Sequence, residues 1–256
     1  MKVVFHEDFR PSYTSDPAAE SGRMEAVERV IRDRVVWVQA KPATEEEIAA
    51  VHTHVQMERV RREGVYEIAA LAAGGAIQTA VIGLTEPCFG LIRPPGHHAS
   101  AASSWGFCYF NNMAIAMEKL YREKRIGTAL ILDFDLHFGD GTVNILEERG
   151  YVTILNPTAA DRNAYLKEVR HFLFGKKVDI IGVSAGFDHH LEDWGGLLTT
   201  DDYREMGQMV REAAGKNGGG CFGLLEGGYN HRVLGANVMA FLEGMESYPM
   251  HDLSGG

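Results

Sequence analysis

Seven short apolar runs, separated by stretches with helical periodicity, limit what this chain can fold into. They are "VVF" at 3–5, "VVWV" at 35–38, "CFGLI" at 88–92, "TALIL" at 128–132, "YVTIL" at 151–155, "VDIIGVS" at 178–184 and "CFGLL" at 221–225. Runs without polar alternation belong to strands buried on both faces, and helix-length segments between them cover those faces. Helices are expected at about 24–33, 44–62, 65–83, 111–123, 162–174, 201–215 and 231–246, the second opened by the start signal of Thr44 followed by Glu47. The pattern predicts an α/β fold of three layers, α/β/α, around a mostly parallel sheet. No Pro/Ser-rich linker, charge block or repeat divides the sequence, so one domain over 1–256 is expected. At 45% hydrophobic residues it can bury a sizeable core.

In open parallel sheets ligands bind beyond the carboxyl ends of the strands, and here the polar clusters follow the strands. The run at 128–132 leads into Asp133, Asp135, His137 and Asp140; the run from Cys88 leads into "RPPGHHAS" with His97 and His98. The run from Val178 leads into "AGFDHH" with Asp188, and the run from Cys221 into "EGGYN" with Tyr229. Asp135 and His137, two apart in extended chain, point to one side. With Asp188 they make an Asp-His-Asp set that suits Zn²⁺ or a similar divalent ion and leaves an open position for water. A lone D-x-H is more often loop hydrogen bonding; four clusters on one edge reverse that balance.

Two carboxylates, Asp133 and Asp140, are left over, and so are two imidazoles. A carboxylate behind each of His97 and His98 fixes its tautomer and raises its basicity. Tyr229, after Gly227-Gly228, is a plain turn aromatic or a phenol that hydrogen-bonds a carbonyl oxygen as it turns anionic. "WGFCYFNN" at 105–112 reads as core aromatics before a helix, or as a greasy wall for an acyl-bearing side chain, with Phe107 the chosen position.

Composition excludes some functions. With 25 Lys+Arg against 35 Asp+Glu, a formal net charge of −10, no sequence-independent grip on nucleic acid is expected, while a cationic substrate is tolerated. Cys88, Cys108 and Cys221 are far apart, with no CxxC pair, which fits a reducing compartment. "MKVVFHEDFRP" has an apolar run too short for a signal-peptide core. Ile68 to Leu84 is interrupted by Gly74, Gly75, Gln78 and Thr79 and reads as a buried helix, not a membrane span. A cytoplasmic chain without a membrane partner is expected, in an oligomeric state the sequence leaves open.

Taken in order, "RPPGHHA", "GFCYFNN", "DFDLHFGDGT", "AGFDHHLEDWGGLLTTDDY" and "LEGGYN" resemble the histone deacetylase, acetylpolyamine amidohydrolase and acetoin-utilisation protein superfamily. The resemblance implies the arginase–deacetylase fold and hydrolysis of an acyl-amine such as acetyl-lysine, an acetylpolyamine or a small acylated amine. It implies Asp135, His137 and Asp188 as ligands of Zn²⁺ or Fe²⁺, His98 with Asp140 as general base, and His97 with Asp133 as its electrostatic or acid partner. It further implies Tyr229 at the scissile carbonyl, Gly106 and Phe107 along the acyl-lysine channel, and a structural K⁺ near the Asp133–His137 backbone. Two other readings are weighed. A dinuclear ureohydrolase needs a carboxylate pair where Asp188 is followed by His189-His190, and a non-catalytic acyl-group binder would have lost a site residue.

The sequence departs from the family pattern at Phe138, where many relatives have a second His, and at Trp194, often Pro. The connection "REGV" at 62–65 and the segment 156–177 are short where relatives carry longer rim loops. A shallow, exposed mouth is expected.

Overall fold

The computed structural model describes residues 1–247; residues 248–256, where the expected domain ends, lie outside the described residues. The seven apolar runs form β1 (Lys2–Phe5), β2 (Val36–Gln39), β3 (Cys88–Gly90), β4 (Ala129–Asp133), β5 (Val152–Leu155), β6 (Ile180–Ala185) and β7 (Gly220–Leu225). They join one sheet in the order β2-β1-β3-β7-β6-β4-β5. Every pairing is parallel, where the sequence indicated a mostly parallel sheet. β3, β4, β6 and β7 are buried along their whole length, as strands covered on both faces must be. At one edge β2 is only partly covered, and Val36 is exposed.

The helices are α1 (Arg23–Ile31), α2 (Glu45–Ala49), α3 (His54–Arg62), α4 (Tyr66–Gly83), α5 (Asn112–Arg122), α6 (Asp140–Leu146), α7 (Arg162–Leu173), α8 (Thr200–Asn217) and α9 (His231–Glu246). The single helix expected at 44–62 is two. The Thr44/Glu47 capping box forms, but Thr53 starts a second helix by accepting from the Gln56 N–H. Between them His52 turns inward, its Nδ1 against Ser100 O and its Nε2 accepting from the Asn111 N–H. α6, only seven residues long, was not expected.

α4 is long and apolar enough to cross a membrane, yet it lies on the sheet. A Cβ at Gly74 would fall 2.5 Å from the Pro42 carbonyl carbon, so only glycine lets the 41–43 segment press against this helix. The Ala43 N–H donates to Ala70 O across that contact.

α8 opens on a capping box between Thr199 and Asp202. The buried Asp202 carboxylate also receives Arg162 Nε at 2.7 Å and Nη2 at 2.5 Å, tying the start of α7 to the start of α8. Replacing Asp202 with Ala removes both a cap and one partner of an ion pair whose Arg is half exposed. The expected cost is about 2 kcal/mol, between the ~1 kcal/mol of a lost cap and the ~3–5 kcal/mol of a broken buried pair. Thermal unfolding of the variant checks it; an unchanged Tm would show that this junction does not stabilise the chain.

Candidate active site

The four central strands β3, β7, β6 and β4 end side by side, and each delivers its cluster to the same edge. The backbone continues the sheet pattern past the strand ends. The Phe134 N–H donates to Ser184 O at 3.2 Å, and the Phe187 N–H donates to Gly227 O at 3.0 Å. The same alignment orients the carboxylates. Asp135 Oδ2 accepts from the Gly227 N–H at 2.8 Å, Asp135 Oδ1 from the His137 N–H at 2.9 Å, and Asp188 Oδ1 from the Leu136 N–H at 3.1 Å. Glycine is required around them. A Cβ at Gly227 would lie 2.5 Å from Asp135 Oδ2 and 2.7 Å from Asp188 Cγ, and a Cβ at Gly186 would run into the Asp135 carboxylate.

Donor atoms of Asp135, His137 and Asp188 all lie within 4.8 Å of one another. His137 Nδ1 is 3.3 Å from Asp135 Oδ1 and 3.2 Å from Asp188 Oδ2. The second contact is close but lacks hydrogen-bond geometry, and Asp188 Oδ2 is a buried oxygen without a hydrogen-bond partner. Such an oxygen is costly unless a cation completes it. Charge says the same. Burial and the neighbouring Asp135 push Asp188 up, while the adjoining Asp135 and Asp188 carboxylates raise His137 to about 10. The cluster thus draws a positive charge between its two carboxylates. The donor set fits a divalent ion such as Zn²⁺, with two carboxylates, one imidazole and room for a further ligand.

The leftover carboxylates sit behind the two imidazoles. His97 Nδ1 is 3.1 Å from Asp133 Oδ2, and His98 Nδ1 is 2.7 Å from Asp140 Oδ1. An ionised carboxylate only accepts, so each Nδ1 carries the proton and each Nε2 is left for other contacts. The two pairs are not equivalent. Burial lowers His98 to about 4, helped by the charge of His97 and opposed by Asp140. Burial also works to lower His97, but Asp135, Asp133 and Glu226 overcome it and hold its proton well above the usual range. The two imidazoles are thereby pushed in opposite directions, the kind of division that acid–base chemistry uses.

Tyr229 is set by its neighbours. Its N–H and that of Asn230 donate to Asp193 Oδ2 at 2.8 and 2.7 Å, and its ring stacks on Trp194 at 4.0 Å. Arg23, fully buried, lies 5.6 Å from the ring and donates to the carbonyls of Gly228 and Glu226. Burial, Asp135 and Asp188 raise the phenol, which stays protonated. Phe107 meets Tyr229 edge-on at 6.1 Å, and Gly106 and Phe107 both adopt left-handed backbone. His97, His98, Gly106, Phe107, His137 and Tyr229 share the lining of one cavity of about 110 Å³. A larger groove of about 650 Å³, beside Arg122 and Asp179, holds no comparable donor cluster.

All ten residues singled out from sequence therefore meet at this edge. Others were not. Glu226 is fully buried and pushed up to about 7 by burial, and its Oε2 accepts from the Gly96 and His97 N–H groups while Oε1 has no partner. Arg23 and Gln56 brace the site from distant helices. The one available signal was Glu226 itself, a carboxylate directly following a buried strand.

An all-parallel sheet with an Asp-His-Asp centre at its carboxyl edge defines a hydrolase of the arginase–deacetylase fold. The fold matches the crystal structure of the HDA15 HD domain with a TM-score of 0.82, 24% identity and coverage of 94% of this chain and 88% of that one. Residues 18–166 match the family described as Histone deacetylase domain. A "Probable deacetylase" of Archaeoglobus fulgidus is 31% identical over 299 residues, covering 89% of this chain and 81% of that protein. A "Histone deacetylase-like amidohydrolase" of Pseudomonas aeruginosa is 28% identical, covering 81% and 70%. The chain belongs to the histone deacetylase family, within the histone deacetylase/acetylpolyamine amidohydrolase superfamily.

Proposed function

We propose that this chain, acting as one catalytic domain, is a metal-dependent amide hydrolase that removes the acyl group from an acylated amine. Acetyl-lysine, an acetylpolyamine or a related small acyl-amine fits. One arrangement carries the reading: the unpartnered Asp188 Oδ2 beside His137, with two carboxylate-backed imidazoles and a phenol on the same cavity. Asp135, His137 and Asp188 would hold Zn²⁺ or Fe²⁺. Bound there, the ion supplies a Lewis acid for the acyl oxygen and lowers the pKa of water from about 15.7 toward 7.

The remaining chemistry belongs to side chains. Neutral His98 accepts a proton from the attacking water through Nε2, while Asp140 retains the Nδ1–H. The water oxygen bonds to the acyl carbon, and the acyl oxygen, now anionic, receives a hydrogen bond from Tyr229. The C–N bond breaks as His98 or His97 delivers a proton to the nitrogen, leaving a short acyl acid and a free amine. Gly106 and Phe107 flank the stem of the substrate. A structural K⁺ near the Asp133–His137 backbone belongs to the same proposal and takes no part in these steps. So does a cytoplasmic location with neither nucleic acid nor membrane as partner.

The rivals lack support of this kind. A dinuclear ureohydrolase needs further carboxylates after Asp188, and there His189 packs on Tyr165 and His190 on Tyr203. A mere acyl-group binder has no use for two polarised dyads.

Breadth follows from the rim. Glu63, Gly64 and Val65 alone join α3 to α4, and most of 156–177 is α7, so little chain is available to wrap a substrate. Hydrolysis of amines that differ widely beyond the stem is expected, weakly favouring cations in line with the acidic balance, and less so at high salt. The test is kcat/KM of purified, Zn²⁺-loaded protein across acetylpolyamines, acetyl-lysine peptides and aryl acetamides. No turnover of any of them would overturn the hydrolase reading. A preference above about 10⁴ for one class would overturn only the breadth.

A further inference from the structure

We propose that Trp105 is a positioning residue for the His98–Asp140 pair, a role that rests on the hydrolase reading above. Asp140 is the first residue of α6, and its side chain is 42% exposed while that of His98 is 4% exposed. A carboxylate this open to water has several rotamers and solvent partners to choose from. Here both oxygens are taken by ring N–H groups. His98 Nδ1 lies 2.7 Å from Oδ1, and Trp105 Nε1 donates to Oδ2 at 2.9 Å. The hydrogen bonds from Trp105 and His98 work against burial to keep Asp140 ionised, as does one from the Gly141 N–H. The indole also lies 3.9 Å from the His98 imidazole at 31°, so one side chain covers the base and anchors its carboxylate.

Packing does not account for Trp105, because it is 56% exposed. The backbone around it is built for close approach. Gly106 is left-handed, and a Cβ there would strike the His98 ring. The Cys108 N–H donates to Trp105 O at 3.0 Å, closing the turn. Gln56, buried on α3, donates to Ser104 Oγ at 3.0 Å and to Tyr109 O at 2.9 Å, bracing the segment from both sides of Trp105. The indole is thus carried on a fixed loop to one place, the outer oxygen of Asp140. Without that second donor, Asp140 is free to turn toward water or the start of α6, and His98 loses the group that keeps its proton on Nδ1.

Trp105→Phe keeps a ring over His98 and removes the N–H. It is expected to lower kcat about tenfold with KM little changed, the lower end for loss of a partner behind a reacting group. In an Asp140→Asn background the same change is expected to cost less than about twofold, because the Asn amide has one acceptor oxygen in place of two and cannot take both the His98 and the Trp105 ring N–H. Wild-type kcat in Trp105→Phe, a change confined to KM, or equal losses in both backgrounds would each overturn the proposal. A second readout does not depend on turnover. The Trp105 indole proton, assigned in a ¹⁵N spectrum by its loss in Trp105→Phe, is expected to move upfield in Asp140→Asn; an unmoved resonance would overturn the contact. If the wild-type protein hydrolyses no acyl-amine, the hydrolase reading falls, and the indole shift alone decides whether Trp105 holds Asp140.

Discussion

A Tyr229→Phe variant is expected to hydrolyse a good amide substrate about 10²–10³-fold more slowly while binding it about as well, the scale for one lost oxyanion donor. The reason lies in when the hydroxyl acts. The ring position survives the change, because Trp194 stacking, the Phe107 edge contact and the two backbone hydrogen bonds to Asp193 do not involve the oxygen. Only the donor disappears, and it matters only once the acyl oxygen carries charge. Burial and the Asp135 and Asp188 carboxylates keep the phenol protonated, so its contribution is not expected to titrate across neutral pH. Steady-state kinetics separates the outcomes. A kcat equal to wild type would remove Tyr229 from the reaction, and a rise in KM alone would make it a binding residue.

Loss of a ligand is expected to have a larger effect. An Asp188→Ala variant is expected to fall from a single divalent ion per chain to none and to lose activity by more than the ~10²–10³ of an oxyanion donor. Asp188 is fully buried, its Oδ1 fastens the Leu136 N–H and its Oδ2 has no hydrogen-bond partner. Removing it takes away both a donor and a buried charge. The metal-free variant is therefore expected to be little less stable than the metal-free wild type. Adding Zn²⁺ should raise the Tm of the wild type alone, since an ion at about 1,000 times its Kd contributes ~4 kcal/mol to a chain that binds it only when folded. Elemental analysis and thermal unfolding with and without chelator check both parts. Two tightly bound ions per chain, or full activity without any, would refute the single-centre scheme.

What could be read from sequence was whatever is written in local pattern. The four central strands were visible because a strand covered on both faces has no polar alternation, and the polar residues after them marked the functional edge. The same logic paired two leftover aspartates with two histidines, and the distances agree. Local pattern also misled. The periodicity at 44–62 is helical throughout, and only the inward turn of His52, against Ser100 and Asn111, explains why the helix breaks there. Seven residues are too few for α6 to announce itself, and it exists where the chain must carry Asp140 up to His98.

The rest depended on contacts between residues far apart in the chain. Gly227 is 92 residues from Asp135, and its place as the hydrogen-bond donor to that carboxylate follows from β7 and β4 both flanking β6. Arg23 reaches the Gly228 carbonyl across 205 residues, and Gln56 reaches Tyr109 across 53. In sequence Trp105 was one more aromatic before a helix. Its role emerged only when the loop that carries it was seen folded against His98, because a side chain's residue type says what it can donate while the packed backbone alone decides to whom.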